Sequence, residues 1–84
     1  MKENATRITR SRELIVTSML QAAVEPIKKT HIMYKANLSY DQLVQYLQYV
    51  TSRQLIETRD GLWVTTERGR EYLKQYQALE QIMA

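Results

Sequence analysis

Residues 30–52, Thr-His-Ile-Met-Tyr-Lys-Ala-Asn-Leu-Ser-Tyr-Asp-Gln-Leu-Val-Gln-Tyr-Leu-Gln-Tyr-Val-Thr-Ser, read as a short helix, a tight turn and a longer helix with one polar face. The turn is written in Asn37 and Ser39. Asn tolerates the left-handed conformation that closes a helix, and Ser accepts a backbone N–H from the first turn of the next one. Gln42 stands three residues after Ser39, so its side chain can reach back to the Ser39 amide and complete a capping box. Two helices therefore meet with almost no linker, as they do in a helix-turn-helix.

The longer helix, expected over residues 40–52, repeats Leu43, Leu47 and Val50 at the spacing of a buried stripe, with Tyr46 beside it. At 100° per residue, Asp41, Gln45, Gln48 and Ser52 fall opposite that stripe, with Gln42 and Tyr49 to one side. This outer face carries one acid and no base. Side chains that merely solvate a helix are usually Lys and Glu, which also have good helix propensity. Glutamine and tyrosine instead present hydrogen-bonding edges and flat apolar area, which suits contact with bases and sugars.

Downstream, residues 55–65 read Leu-Ile-Glu-Thr-Arg-Asp-Gly-Leu-Trp-Val-Thr. Asp-Gly between two β-prone runs predicts a two-residue type I′ hairpin, with Ile56 opposite Thr65 and Thr58 opposite Trp63. A hairpin after a helix-turn-helix is a wing, and its tip would offer the Arg59 guanidinium to a phosphate or minor groove. The last helix is expected to start near Thr66, an N-cap, with Glu67 at the positive end of the helix dipole. Its Tyr72, Tyr76, Leu79 and Met83 form a short heptad seam, broadened by Leu73 and Ile82.

Upstream, a helix over residues 11–24 places Ile15, Met19 and Ala22 beside Val16, Leu20 and Ala23, a wide stripe suited to the centre of a core. Glu25-Pro26 stops it, because the residue before proline is pushed out of the helical region. The short second helix is expected to start after Thr30 as N-cap, with Ile32 and Ala36 facing inward. The organisation is thus a flexible basic arm over residues 1–10, a winged helix-turn-helix domain over 11–66 and a C-terminal dimerisation helix over 67–84. The fold class is mainly α with a small β-hairpin.

Composition agrees with this reading. A hydrophobic share of 44% with 25% charged residues belongs to a globular chain with a core to build. At 84 residues that core is small, and small domains often gain stability by pairing, so a homodimer is expected. Because its helix is terminal and carries more apolar surface than one small domain needs, the seam at Tyr72, Tyr76, Leu79 and Met83 is the expected contact.

Net charge is only +3 but uneven: Lys2, Arg7, Arg10 and Arg12 oppose Glu3 alone, Lys28, Lys29 and Lys35 follow, and Glu67, Glu71 and Glu80 gather late. A basic half is compatible with a polyanion partner. No cysteine is present and His31 is the sole histidine, so neither a soft-metal site nor a thiolate nucleophile can be assembled; no enzymatic activity, metal or cofactor is expected. No apolar run approaches a membrane span and the N-terminal residues lack a signal peptide's apolar segment, so a cytoplasmic protein with no membrane partner is expected.

The run at residues 30–40, then Gln42-Leu43, Tyr46-Leu47, Leu55-Ile56 and Thr66-Glu67-Arg68-Gly69-Arg70 before Tyr72-Leu73, resembles the archaeal winged-helix DNA-binding proteins across residues 10–75. That group includes small regulators and ten-kilodalton chromatin proteins that dimerise through an antiparallel C-terminal coil. The resemblance implies a winged-helix fold, DNA binding through the third helix and wing, and a homodimer. It departs at Gln54, where a Gly is frequent, and at Trp63, where a Tyr is common.

Double-stranded DNA is therefore the expected partner, with the third helix in the major groove. Phosphates would be held by Lys35, Arg53 and Arg59, Ser39, Tyr40, Gln42 and Gln45 would face bases or nearby phosphates, and Tyr49 is counted among the DNA-binding residues. A transcriptional regulator reading sequence is the leading expectation. The alternatives are an architectural chromatin protein that binds mostly phosphate, and a winged helix that binds protein through Tyr34, Tyr40, Tyr49 and Trp63.

Overall fold

The computed structural model describes residues 11–83. The expected arm over residues 1–10 lies outside the described residues. Four helices and one hairpin follow in the order α1 (Arg12–Ala22), α2 (Lys29–Lys35), α3 (Tyr40–Ser52), β1 (Ile56–Arg59), β2 (Leu62–Thr65) and α4 (Glu67–Met83), the order of a winged helix-turn-helix.

Helix α1 starts where Ser11 Oγ accepts the Leu14 N–H at 3.2 Å. It ends two residues short of the expected boundary, and a distant segment fixes that end. Thr65, at the end of β2, donates its N–H to the Ala23 carbonyl at 2.8 Å and its hydroxyl to the Leu20 carbonyl at 2.6 Å. Two carbonyls that a helix end leaves without partners are thereby satisfied.

Beyond Pro26, the Ile27 N–H and C=O pair with Trp63 at 3.0 and 2.8 Å, adding a third, single-bridge rung to the hairpin. This rung corrects the start of α2. Thr30 is not its N-cap; Lys28 occupies that position with no side-chain hydrogen bond, because the chain leaves the Ile27 rung extended and coils at once from Lys29.

Both helices that frame the turn end in the same way. Asn37, at φ 57°, closes α2, with its N–H bonded to the Tyr34 carbonyl and the Leu38 N–H to the Met33 carbonyl. Gln54, at φ 61°, closes α3, with the corresponding bonds running from Gln54 to Thr51 and from Leu55 to Val50. These are Schellman motifs, and each places an apolar residue just past the left-handed position, as the motif's hydrophobic contact requires. Gln54 therefore keeps the backbone shape that glycine adopts without strain, and does so with a side chain attached. The left-handed region costs a non-glycine residue roughly 1 kcal/mol. Gln54→Gly is accordingly expected to stabilise the domain by up to about 1 kcal/mol, offset in part by added freedom of the unfolded chain. A urea midpoint that stays put or falls would contradict this.

The hairpin register is Ile56 with Thr65 and Thr58 with Trp63, as expected from the Asp-Gly turn. Asp60 and Gly61 both have positive φ, 54° and 80°, which is what type I′ demands. The core gathers Val16, Met19 and Leu20 of α1, Ile32 of α2, Leu43 and Val50 of α3 and Ile56 of β1, all but inaccessible to solvent. Trp63 is half-buried and packs its ring on this cluster, which settles which way that side chain leans.

The start of α4 is stitched to the end of α3. Thr66 N–H donates to the Leu55 carbonyl at 3.0 Å, Thr66 Oγ1 to the Gln54 carbonyl at 2.7 Å and Arg68 Nε to the Arg53 carbonyl at 3.0 Å. Thr66 Oγ1 also accepts the Gly69 N–H at 3.0 Å, acting as the expected N-cap. The long terminal helix is thus held at a fixed angle to α3.

Candidate nucleic-acid interface

The tight turn delivers α3 to the surface with its capping box formed: Ser39 Oγ accepts the Gln42 N–H at 3.2 Å and Gln42 Oε1 accepts the Ser39 N–H at 3.0 Å. Leu43, Leu47 and Val50 anchor the inner side of the helix. On the outer side Asp41, Gln45, Gln48 and Ser52 are all exposed. Asp41 sits in the first turn, where the helix dipole favours an anion.

The expected site residues divide into three groups. Gln45 is exposed and its side chain makes no hydrogen bond within the described residues, so both its side-chain carbonyl and its amide are available. Gln48, one turn further along the same face and equally unengaged, belongs with it; its spacing of three from Gln45 was the sequence signal. Gln42 is different. Its Oε1 is committed to the capping box, so a bidentate grip on adenine, which needs that oxygen as acceptor, would cost the cap.

Among the flanking residues, Ser39, Tyr40 and Lys35 are exposed at the turn, Tyr40 at 58%. Lys29 lies over the Tyr40 ring with Nζ 5.9 Å from its centroid. Tyr49, expected among the DNA-binding residues, is half-buried and packed on the core at the far end of α3. Its ring carries two guanidiniums, Arg53 at 3.9 Å and Arg12 at 4.9 Å, and its hydroxyl accepts from Arg12 at 3.1 Å. That hydrogen bond raises Arg12 above the ordinary arginine range. Arg59, at the wing, is ion-paired with Glu57 two residues back on the same strand face. The pair is exposed, and such pairs are weak enough to exchange for another anion.

The C-terminal seam is also divided. Tyr72 packs on the protomer's own core, where burial raises its phenol above the usual value and the nearby Glu13 charge adds to the rise. Tyr76 is half-buried, whereas Leu79, Ile82 and Met83 are 56%, 79% and 77% exposed. Among the described residues, no cluster of His, Asp or Glu is arranged to hold a metal ion, and no helix is long and apolar enough to cross a membrane.

A helix-turn-helix with a hairpin stitched behind it and a polar face without a base in front defines the class, and comparison with known proteins agrees. The winged helix-turn-helix family profile matches residues 9–84, and the chain belongs to that family. It is 30% identical over 74 residues to the uncharacterized protein MJ0290 of Methanocaldococcus jannaschii; the match takes in 87% of this chain and 35% of that protein. The chain thus spans about a third of that relative's length. Its fold is similar to that of Sso10a-2, a DNA-binding protein from Sulfolobus solfataricus, with a TM-score of 0.75, 19% identity, and coverage of 88% of this chain and 82% of the other. Both of these proteins come from archaea, in keeping with the resemblance drawn from the sequence.

Proposed function

We propose that this chain is a DNA-binding protein, a homodimeric transcriptional regulator that inserts α3 into the major groove of double-stranded DNA. The observation that carries the reading is the pair Gln45 and Gln48, whose side chains are exposed and without hydrogen bonds among the described residues on a face that holds no base. Glutamine's paired acceptor and donor match the adenine edge in the major groove, and neither amide is needed elsewhere among the described residues. Lys35 at the turn supplies charge for phosphate. The exposed Leu79, Ile82 and Met83 of α4 supply an apolar face for a second copy.

Selection of bound duplexes from a random pool is expected to return a consensus with inverted half-sites, as two-fold symmetry requires. In Gln45→Ala with Gln48→Ala, preference at the affected positions falls by about 1–3 kcal/mol per lost bidentate contact, while general binding persists. Gln42→Ala behaves differently: it lowers stability by about 0.5–1 kcal/mol through the cap and leaves the consensus intact. Equal affinity of the wild type for all duplexes would instead indicate an architectural chromatin protein. Failure to retain any duplex at low salt would indicate a protein-binding module, with Tyr34 and Tyr40 at 74% and 58% exposure as its contact surface.

A further inference from the structure

The outer face of α3 contains no base, so cations that would hold DNA lie at its margins, where two arginines are fixed on one ring. Arg12 opens α1 and Arg53 follows α3, 41 positions apart in the chain, yet both guanidiniums sit against the ring of Tyr49. Arg12 is further fixed by the Tyr49 hydroxyl, and Arg53 by Ser52 Oγ at 3.4 Å, itself bonded to the Tyr49 carbonyl. Neither guanidinium is in an ion pair among the described residues. Two cations beside one another repel, and part of that repulsion is offset by the ring's negative face and by the charge of Glu13, which lines the same pocket without forming an ion pair. A shared anion would offset the rest.

We propose that Arg12 and Arg53, mounted on Tyr49, form a prebuilt clamp for a backbone phosphate of duplex DNA at one margin of the recognition helix. The proposal rests on the DNA-binding reading above and adds Arg12 to the interface, with Tyr49 as a positioning residue that need not touch a base. A shallow groove lined by Arg12, Gln45, Tyr46 and Tyr49 connects the stack to the reading face. A duplex engaged by Gln45 therefore runs past the stack.

Geometry supplies the opposite margin. Tyr40, with Lys29 over its ring, lies nine residues before Tyr49 on α3. Nine residues correspond to about 13–14 Å along the axis and to opposite sides of the helix. The major groove is about 12 Å wide, so a helix lying in it has one flank toward each strand. The Arg12–Tyr49–Arg53 stack faces one strand and the Lys29–Tyr40 pair the other.

The test is the salt dependence of duplex binding by the full chain, measured by fluorescence anisotropy for wild type, Arg12→Ala, Arg53→Ala, their double variant, and Lys74→Ala as a charge control on the exposed side of α4. Loss of one phosphate contact flattens the slope of log affinity against log salt by about 0.9 and weakens binding roughly eightfold at 0.1 M salt, equally for all sequences. The double variant is expected to show that change and Lys74→Ala much less. Tyr49→Phe, which keeps the ring and its packing but frees Arg12, is expected to weaken binding without altering the consensus or the melting temperature.

A double variant that melts like wild type, binds with the wild-type slope and matches Lys74→Ala overturns the clamp while leaving the DNA-binding reading in place. A wild type that binds no duplex at low salt overturns both. If the double variant melts early, the Arg12→Lys, Arg53→Lys pair decides: restored slope with reduced affinity supports a phosphate contact, and wild-type affinity of the alanine variant at a temperature where it is folded refutes it.

Discussion

Gly69→Ala is expected to destabilise the domain by about 3 kcal/mol, although alanine is the better helix former by about 1 kcal/mol. Gly69 lies in the first turn of α4, buried against the segment that leaves α3. A Cβ there would lie far inside van der Waals contact of the Leu55 carbonyl oxygen and 2.5 Å from the Thr65 methyl. Neither neighbour can give way cheaply. The Leu55 carbonyl accepts the Thr66 N–H at 3.0 Å, and Thr65 is held through its hydroxyl to the Leu20 carbonyl at 2.6 Å. Moving α4 outward would break the bonds to the Arg53, Gln54 and Leu55 carbonyls as well. For a domain of this size the loss corresponds to a fall in melting temperature of roughly 12–24 °C, readable by circular dichroism. A variant that melts at or above the wild-type temperature would show that α4 is not docked this closely.

Leu79→Glu combined with Met83→Glu is expected to abolish self-association. The two positions lie one turn apart on α4 and are 56% and 77% exposed in the single chain. Glutamate preserves helix propensity, so the helix itself should persist. Each Leu or Met side chain taken out of water contributes about 1.5–3 kcal/mol, and a two-fold contact counts each position twice. Weakening by at least about a thousandfold, roughly 4 kcal/mol, follows even if only part of that burial is realised in the dimer. Sedimentation equilibrium reads this directly. A wild type that stays monomeric at high concentration, or a double variant that associates as tightly as wild type, would refute the proposed pairing. Because Tyr72 is packed on its own core, its replacement should instead lower the stability of the single chain.

Short-range chemistry made much of this molecule legible from its sequence. The capping box of Ser39 and Gln42, the left-handed Asn37, the Asp60-Gly61 turn with its register and the bounds of α3 at Tyr40–Ser52 each depend on residues within a few positions of one another. Such features are specified locally because the bond donor and acceptor lie on the same turn. The 3.6-residue spacing of Leu43, Leu47 and Val50 likewise fixed which side of α3 faces inward. With the inner side assigned, the exposed glutamines followed.

Contacts between distant segments could not be read that way. Thr65 ending α1, Ile27 pairing with Trp63 and Arg12 stacking on Tyr49 join residues 36 or more positions apart, and no periodicity or propensity announces them. Amino-acid types along the chain thus determined the elements, the turn between α2 and α3 and the polarity of the outer face of α3. Tertiary structure alone decided where α1 ends and α2 begins, that Trp63 leans onto the core, and that Tyr49 carries Arg12. The physical reason is that a side chain's free hydrogen-bonding groups and neighbours are settled by what packs around it, after local conformation has been chosen.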